Sequence, residues 1–333
     1  MDNVLSGMRP TGKLHLGHLH GVLENWNNLQ NEYKCYYFVA DWHALTSEFK
    51  NTGEIKKSII DMVADWLSVG INPDKSVLFI QSHIKEHAEL HLLLSMITPL
   101  GWLERNPSYK EMKVELKSKD INTYGFLGYP VLQTADIIMY KAKYVPIGID
   151  QLPHLELSRE IVRRFNYLYK KDVFIEPNPL FTENKKITGV DGRKMSKSYG
   201  NAIYISDEGE TLSKKVLNLV TDTRRVRRKD PGSPDKCMAF EFHKLYCTSE
   251  ELAMIEEECP KAGIGCFDCK KILLKRIEEQ LLPIQEKRKD VLSNPDNIKN
   301  ILSEGDKKAR EKAKETMEEV LDVLKLNYTK VQI

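Results

Sequence analysis

The chain has 333 residues, a formal net charge of +2 and 41% hydrophobic residues, a length that suits two domains and an apolar content that can fill a sizeable core. So small a net charge excludes a general polycation, and a nucleic-acid partner would have to use local patches. No apolar run approaches the ~20 residues of a membrane span, so no membrane partner is expected, and Asp2, Asn3, Arg9 and Lys13 interrupt any signal-like stretch. Leu19, Val22, Leu23, Trp26 and Leu29 recur at helical spacing, which predicts a helix starting near His15. Residues 35–40 read as a buried strand and 55–67 as a helix with Ile59, Met62, Val63 and Trp66 on one face. A second strand follows at 76–81, a helix at 86–97, a short strand-to-loop element at 144–148 and a helix at 155–165. Between them, Tyr129, Gln133, Asp136 and Tyr140 fall on one face of an otherwise apolar helix. After about Asn201 strands become scarce, and 270–282 and 306–324 read as charged amphipathic helices, separated by Pro283 and by turn signals at Asn294-Pro295 and Gly305.

Strand–helix alternation implies an α/β fold: a Rossmann-type parallel-sheet nucleotide-binding domain over 1–200, followed by an all-helical domain over 201–333. Ligands of such sheets bind beyond the carboxyl ends of the strands. Two segments carry the chemistry. His15-Leu16-Gly17-His18 sits at a strand-to-helix turn, where free N–H groups and the positive helix end favour phosphate. Gly17, lacking a Cβ, lets a nucleotide approach the backbone. Lys194-Met195-Ser196-Lys197-Ser198 follows Asp191-Gly192 and places two ammonium groups on a loop suited to pyrophosphate. Taken alone, each string is more often a surface pair or a solvated face; their order in a βα context gives them weight.

The two segments, with Ser6-Gly7-Met8-Arg9-Pro10-Thr11-Gly12 and Asp191-Gly192-Arg193-Lys194, resemble the hallmark motifs of class I aminoacyl-tRNA synthetases. Nearly end to end, the chain is similar to the bacterial-type tryptophanyl-tRNA synthetases. The resemblance implies that tryptophan is joined to ATP as tryptophanyl-adenylate and then passed to tRNA(Trp), by a cytoplasmic homodimer with magnesium. It implies catalytic roles for His15, His18, Lys194 and Lys197. ATP would be held by Arg9, Pro10, Thr11, Gly17, Gly148, Ile149, Asp150, Ile187, Met195, Ser196 and Ser198 with the catalytic residues; Ile187 would pack on adenine, and Gly148 and Asp150 would hold the ribose. L-tryptophan would be held by Gly7, Tyr129, Gln133, Asp136 and Gln151. Indole offers one donor and no acceptor, so a fixed carboxylate suits it, and Asp136 is the expected reader. Gln133 also matches the face that tyrosyl-tRNA synthetases use, which keeps that sister activity as an alternative. A small-molecule nucleotidyltransferase shares the His-x-x-His helix start but has no use for the helical domain.

Six cysteines in a chain read as intracellular point to metal or free thiols. Cys237, Cys259, Cys266 and Cys269, spaced C-x21-C-x6-C-x2-C, could hold zinc or an iron–sulfur cluster. Spacing does not choose; similarity to an iron–sulfur-containing subset of the family implies a 4Fe–4S cluster, with Cys247 spare and zinc as the alternative. The basic run Arg224-Arg225-Val226-Arg227-Arg228-Lys229 either contacts tRNA phosphate or pairs with acidic neighbours.

Overall fold

The computed structural model describes residues 1–107, 109–110, 121–181 and 187–327. Five parallel strands, β1 (Asn3–Met8), β2 (Lys34–Val39), β3 (Ser76–Ile80), β4 (Tyr144–Ile147) and β5 (Asn178–Phe181), form one sheet in the order β3-β2-β1-β4-β5. Every residue of β3 and all but the first of β2 are buried, as a sheet covered on both faces demands. On one face Leu16, Leu23, Trp26, Met62 and Trp66 pack together, with the Trp26 ring stacked on Tyr37 at 4.3 Å. On the other, Leu5, Tyr36, Phe79, Ile138 and Phe165 form a second core.

Strand order reverses at β1. Pairing with β2 runs the whole length of β1, but pairing with β4 is limited to Val4 and Tyr144. The carboxyl ends of β1 and β4 are therefore free to flank a crevice at the switch point, where open α/β sheets bind ligands. The helix after β1 starts at Leu16–His18, widens into a π turn over Leu19–Leu23 and resumes as Glu24–Leu29. The spacing predicted a plain α-helix; the extra residue per turn accompanies the histidine segment, a common association at functional sites.

Two expected helix breaks do not form. Pro283 lies inside the helix Cys266–Ser293, on its exposed side, where water can take the carbonyl that proline leaves unpaired. Gly305 lies inside the helix Pro295–Leu324; only the break at Asn294-Pro295 is real. Gly305 is there for close approach: a Cβ at this position would lie 1.8 Å from the Leu78 carbonyl oxygen. The next residue, Asp306, accepts from the Ile80 amide at 3.0 Å through Oδ1 and bonds His83 Nδ1 at 2.6 Å through Oδ2. The last helix thus covers β3, the edge strand, and blunts an otherwise open row of backbone groups. Its Ala313, Met317 and Val320 join the second core. Arg288 adds a clamp, donating to Asp65 and Asp61 at 2.6 Å each. The helical segments after residue 201 are therefore fastened to the sheet.

In an exposed helix, glycine to alanine is stabilising. Gly305→Ala is expected to do the opposite, lowering unfolding free energy by about 1–3 kcal/mol because the helix must lift off the strand. Urea denaturation checks this, and an unchanged or raised midpoint would contradict the close-packing account.

Candidate active site

A cleft of about 1380 Å³ opens over the β1–β4 crevice. Gly7, Arg9, Pro10 and Thr11 come from the end of β1, Gly148, Asp150 and Gln151 from the end of β4, and Tyr129, Gln133 and Asp136 from the helix Tyr124–Met139. His15, His18, Lys194, Met195, Ser196 and Lys197 complete the wall. Most of the ATP- and tryptophan-site residues singled out by sequence share this one cavity. Gly7 makes room for the Phe38 ring in its floor, since a Cβ there would strike that ring at 2.4 Å.

His15 caps the helix start: its Nδ1 accepts from the Gly17 amide at 3.1 Å, while His18 Nδ1 accepts from the His15 amide at 3.2 Å. The rings lie 3.9 Å apart. Burial, with Lys197 nearby, drives His15 down to about 4, and burial with His15 and Lys197 drives His18 well below the usual histidine range. Both are neutral at pH 7. Gly17 does not line the cleft; its missing Cβ makes room for the His15 ring, which would be met at 2.9 Å.

The lysine segment ends a small hairpin. Met195 N donates to Ile187 O at 3.1 Å and Gly189 N to Arg193 O at 2.6 Å. Buried Asn201 fastens it, accepting from Ser196 N at 2.8 Å and donating to Asp191 Oδ1 at 2.7 Å and Lys194 O at 3.1 Å. The chain then runs antiparallel past the histidine segment: Leu16 N meets Ile203 O at 3.0 Å and Ile205 N meets Leu14 O at 3.0 Å. Lys197 reaches across to the Thr11 and Gly12 carbonyls at 3.3 and 2.9 Å. Burial lowers it to about 8. Lys194 stands exposed at the rim. Ile187 is buried in the first core and Ile149 is 63% exposed, and neither lines the cleft; Ser198 lies in the Lys197–Tyr199 turn, its side chain outside the described residues.

Asp136 is 1% exposed and holds its charge through the chain's own donors. His43 Nε2 at 2.8 Å, His87 Nδ1 at 2.6 Å and Gln81 Nε2 at 2.8 Å all bond its carboxylate. Burial pushes this acid up, but the bonds from His43 and His87 prevail and hold it at about 2. Tyr129 Oη bonds His154 Nε2 at 2.9 Å, and Gln151 Nε2 bonds Asp150 Oδ2 at 3.1 Å. Tyr140 departs from the expected face: it turns away from the cleft to bond His87 at 2.7 Å. Sequence reasoning missed His43, Gln81, His87 and His154. The one signal was chemical: a carboxylate on a buried helix needs donors from elsewhere.

Beyond the cleft, Cys237, Cys259, Cys266 and Cys269 come together. Burial raises Cys269 to about 12, and Cys237, Cys259 and Cys266, followed by Cys247, push it the same way. Among the described residues no three His, Cys, Asp or Glu side chains are arranged to hold a single metal ion. Cys247 bonds His243 Nδ1 at 3.1 Å, and Cys269 lies 3.2 Å from the opposite ring nitrogen. Much of the basic run braces this region. Arg225 donates to the Arg228 and Ile264 carbonyls, Arg228 to those of Ala262 and Gly263, and Arg224 pairs with Asp222 at 2.8 Å. Arg227 and Lys229 remain exposed.

Among the described residues no helix is long and apolar enough to cross a membrane. Residues 2–281 match the family model of tRNA synthetases class I (W and Y). The tryptophan–tRNA ligase of Thermotoga maritima is 52% identical, over 98% of this chain and 99% of that protein. That of Aquifex aeolicus is 46% identical, over 97% of this chain and 99% of that protein. The tryptophanyl-tRNA synthetase of Campylobacter jejuni, solved with ADP and tryptophan, superposes with a TM-score of 0.88 at 34% identity, covering 97% of this chain and 100% of that one. In sequence and in fold, the chain belongs to the class I tRNA synthetases for tryptophan and tyrosine.

Proposed function

We propose that the cleft activates L-tryptophan with ATP, giving tryptophanyl-adenylate and pyrophosphate, and that the chain then transfers tryptophan to tRNA(Trp). The chain acts as a tryptophan–tRNA ligase. The observation that carries the residue-level reading is one cavity holding a buried acceptor, Asp136, together with the His15–His18 helix start and Lys197. In the activation step a tryptophan carboxylate oxygen attacks the α-phosphorus. The bond from that phosphorus to the bridging oxygen breaks, and pyrophosphate leaves with the electron pair. No protein nucleophile is needed, so catalysis is positioning plus stabilisation of developing charge.

His15 and His18, being neutral, serve phosphate or ribose as N–H donors rather than as cations. Arg9, Pro10 and Thr11 shape the nucleotide entry, and Gly17 serves it only by making room for the His15 ring. Gly148 and Asp150 take the ribose, with Ile187 in the core behind the adenine. Lys194 and Lys197, on a loop with Met195, Ser196 and Ser198, hold the departing pyrophosphate. Asp136 accepts the indole N–H, and Gly7, Tyr129, Gln133 and Gln151 complete the amino-acid side. Magnesium, which neutralises part of the triphosphate charge, arrives with the nucleotide and keeps several waters.

We assign the chemistry to residues 1–200 and anticodon binding to 201–333, braced by a 4Fe–4S cluster on Cys237, Cys259, Cys266 and Cys269. Burial, with neighbouring thiols, raises Cys237, Cys259 and Cys269, so they need a cation to become thiolates, and Arg225 Nη1 lies 3.8 Å from Cys259 Sγ. A cubane binds its four thiolates through separate irons, so they need not converge on one point as zinc requires. Arg227 and Lys229 are left to meet tRNA phosphate. The reading takes the protein as a cytoplasmic homodimer, as its family resemblance implies.

Amino-acid-dependent ATP–pyrophosphate exchange tests the activity: exchange is expected with tryptophan, and comparable exchange with tyrosine would overturn the choice of substrate. Lys197 gives a pH signature. Its folded value of about 8 means that kcat/KM for ATP should fall as pH rises through 8 and the ammonium is lost. Lys197→Arg, which stays charged, should be slower yet lack that alkaline limb; an unaltered limb would assign it to another group. Anaerobically purified protein should contain iron and sulfide and absorb broadly in the visible, and Cys266→Ser should lose that absorption. Stoichiometric zinc without sulfide would replace the cluster by a four-cysteine zinc site.

A further inference from the structure

Asp136 is held by two partners behind it and one in front. Gln81 and His87 are fully buried and do not line the cleft, whereas His43 does. Gln81 Nε2 sits 2.8 Å from both carboxylate oxygens, and His87 Nδ1 sits 2.6 Å from Oδ1. A carboxylate only accepts, so His87 Nδ1 carries the hydrogen, and in that tautomer Nε2 is the acceptor. Tyr140 Oη lies 2.7 Å from that nitrogen and donates to it. Burial holds the Tyr140 phenol well above its usual range, so it remains an O–H. One phenol therefore sets the tautomer of one imidazole, and that imidazole fixes one oxygen of the carboxylate.

We propose that His87, locked by Tyr140, is a positioning residue for substrate choice: it orients the Asp136 carboxylate as an acceptor for the indole N–H. The proposal rests on the reading of Asp136 given above. Its bland rival is that the trio merely stabilises a polar pocket in the core. The two differ in what they do to discrimination. A purely structural loss weakens every amino acid alike. A mis-aimed carboxylate penalises only the substrate that donates to it.

The probe is β-(3-benzothienyl)-L-alanine, in which sulfur replaces the indole N–H. The readout is the ratio of kcat/KM in pyrophosphate exchange, tryptophan over analogue. Wild type should favour tryptophan, and Asp136→Ala should abolish the preference. His87→Ala should lower the ratio about tenfold or more, mainly through a raised KM for tryptophan. His87→Asn, whose amide nitrogen falls near the place of Nδ1, should recover much of it. Tyr140→Phe, which removes a single oxygen, should give an intermediate ratio and decides the matter if His87→Ala does not fold. If Asp136→Ala abolishes the preference while the His87 and Tyr140 variants keep the wild-type ratio, the positioning role is overturned and the indole reading stands. If Asp136→Ala itself keeps the preference, the indole reading falls and this proposal falls with it.

Discussion

Two backbone hydrogen bonds hold the two motif-bearing walls of the cleft together. Leu16 N to Ile203 O and Ile205 N to Leu14 O tie the histidine helix start to the strand-like stretch behind the lysine loop. The segments are far apart in sequence, so the loop-closure entropy is met by the fold and not by local structure. Once they are joined, Lys197 needs only its own length to reach the Thr11–Gly12 turn. Asn201 stiffens the loop from inside through Ser196, Asp191 and Lys194. A long, flexible lysine is then delivered to one place by rigid neighbours.

The same logic governs the far side of the sheet. β3 is an edge strand that must be covered, and a helix from the last thirty-odd residues covers it. That helix can lie close only where a side chain is missing, at Gly305, and it is anchored beside that point by Asp306. Arg288, on the preceding helix, grips Asp61 and Asp65 on the helix Thr52–Val69. Asp65 is raised to about 6, chiefly by burial, and Arg288 opposes that rise. Removing one partner from such a buried pair costs several kcal/mol, about 3–5, because the other charge is stranded. The anchoring of the C-terminal helices to the sheet is thus electrostatic as well as apolar.

Much of this was legible in the sequence. Alternating apolar runs gave β2, β3 and the intervening helices, because a strand buried on both faces leaves a dense apolar signature. The two motifs marked the cleft, because phosphate chemistry demands particular residue types at a helix start and on a loop. What sequence could not supply depends on contacts between distant segments. Pro283 and Gly305 read as breaks because local propensity favours breaks there. A long packed helix absorbs the first on its wet side, and a neighbouring strand requires the second. Asp136 was found, but its holders His43, Gln81 and His87 sit on three other elements, without a shared local pattern. The basic run read as a possible phosphate surface; two of its five cations, Arg225 and Arg228, instead cap carbonyls around the cysteine loops.

The electrostatics of the cleft fit its proposed use as a nucleotide site. Arg9 and Lys197 are both lowered by burial, and Arg9 lowers Lys197 further. Arg9 Nε is buried without an acceptor among the described residues. His15 and His18 have given up their protons under the same pressure. Such a site carries more donors than it can satisfy from within. A polyanion offsets these costs at once: it accepts from the orphan donor and favours the charged form of the lysine beside Arg9. Binding energy of this kind grows as phosphate charge develops toward the leaving group, and it is largest where water has already been excluded. A cleft lined by fully charged, solvated lysines would attract the nucleotide from further away but would discriminate less between bound ATP and the charge that builds up as pyrophosphate departs.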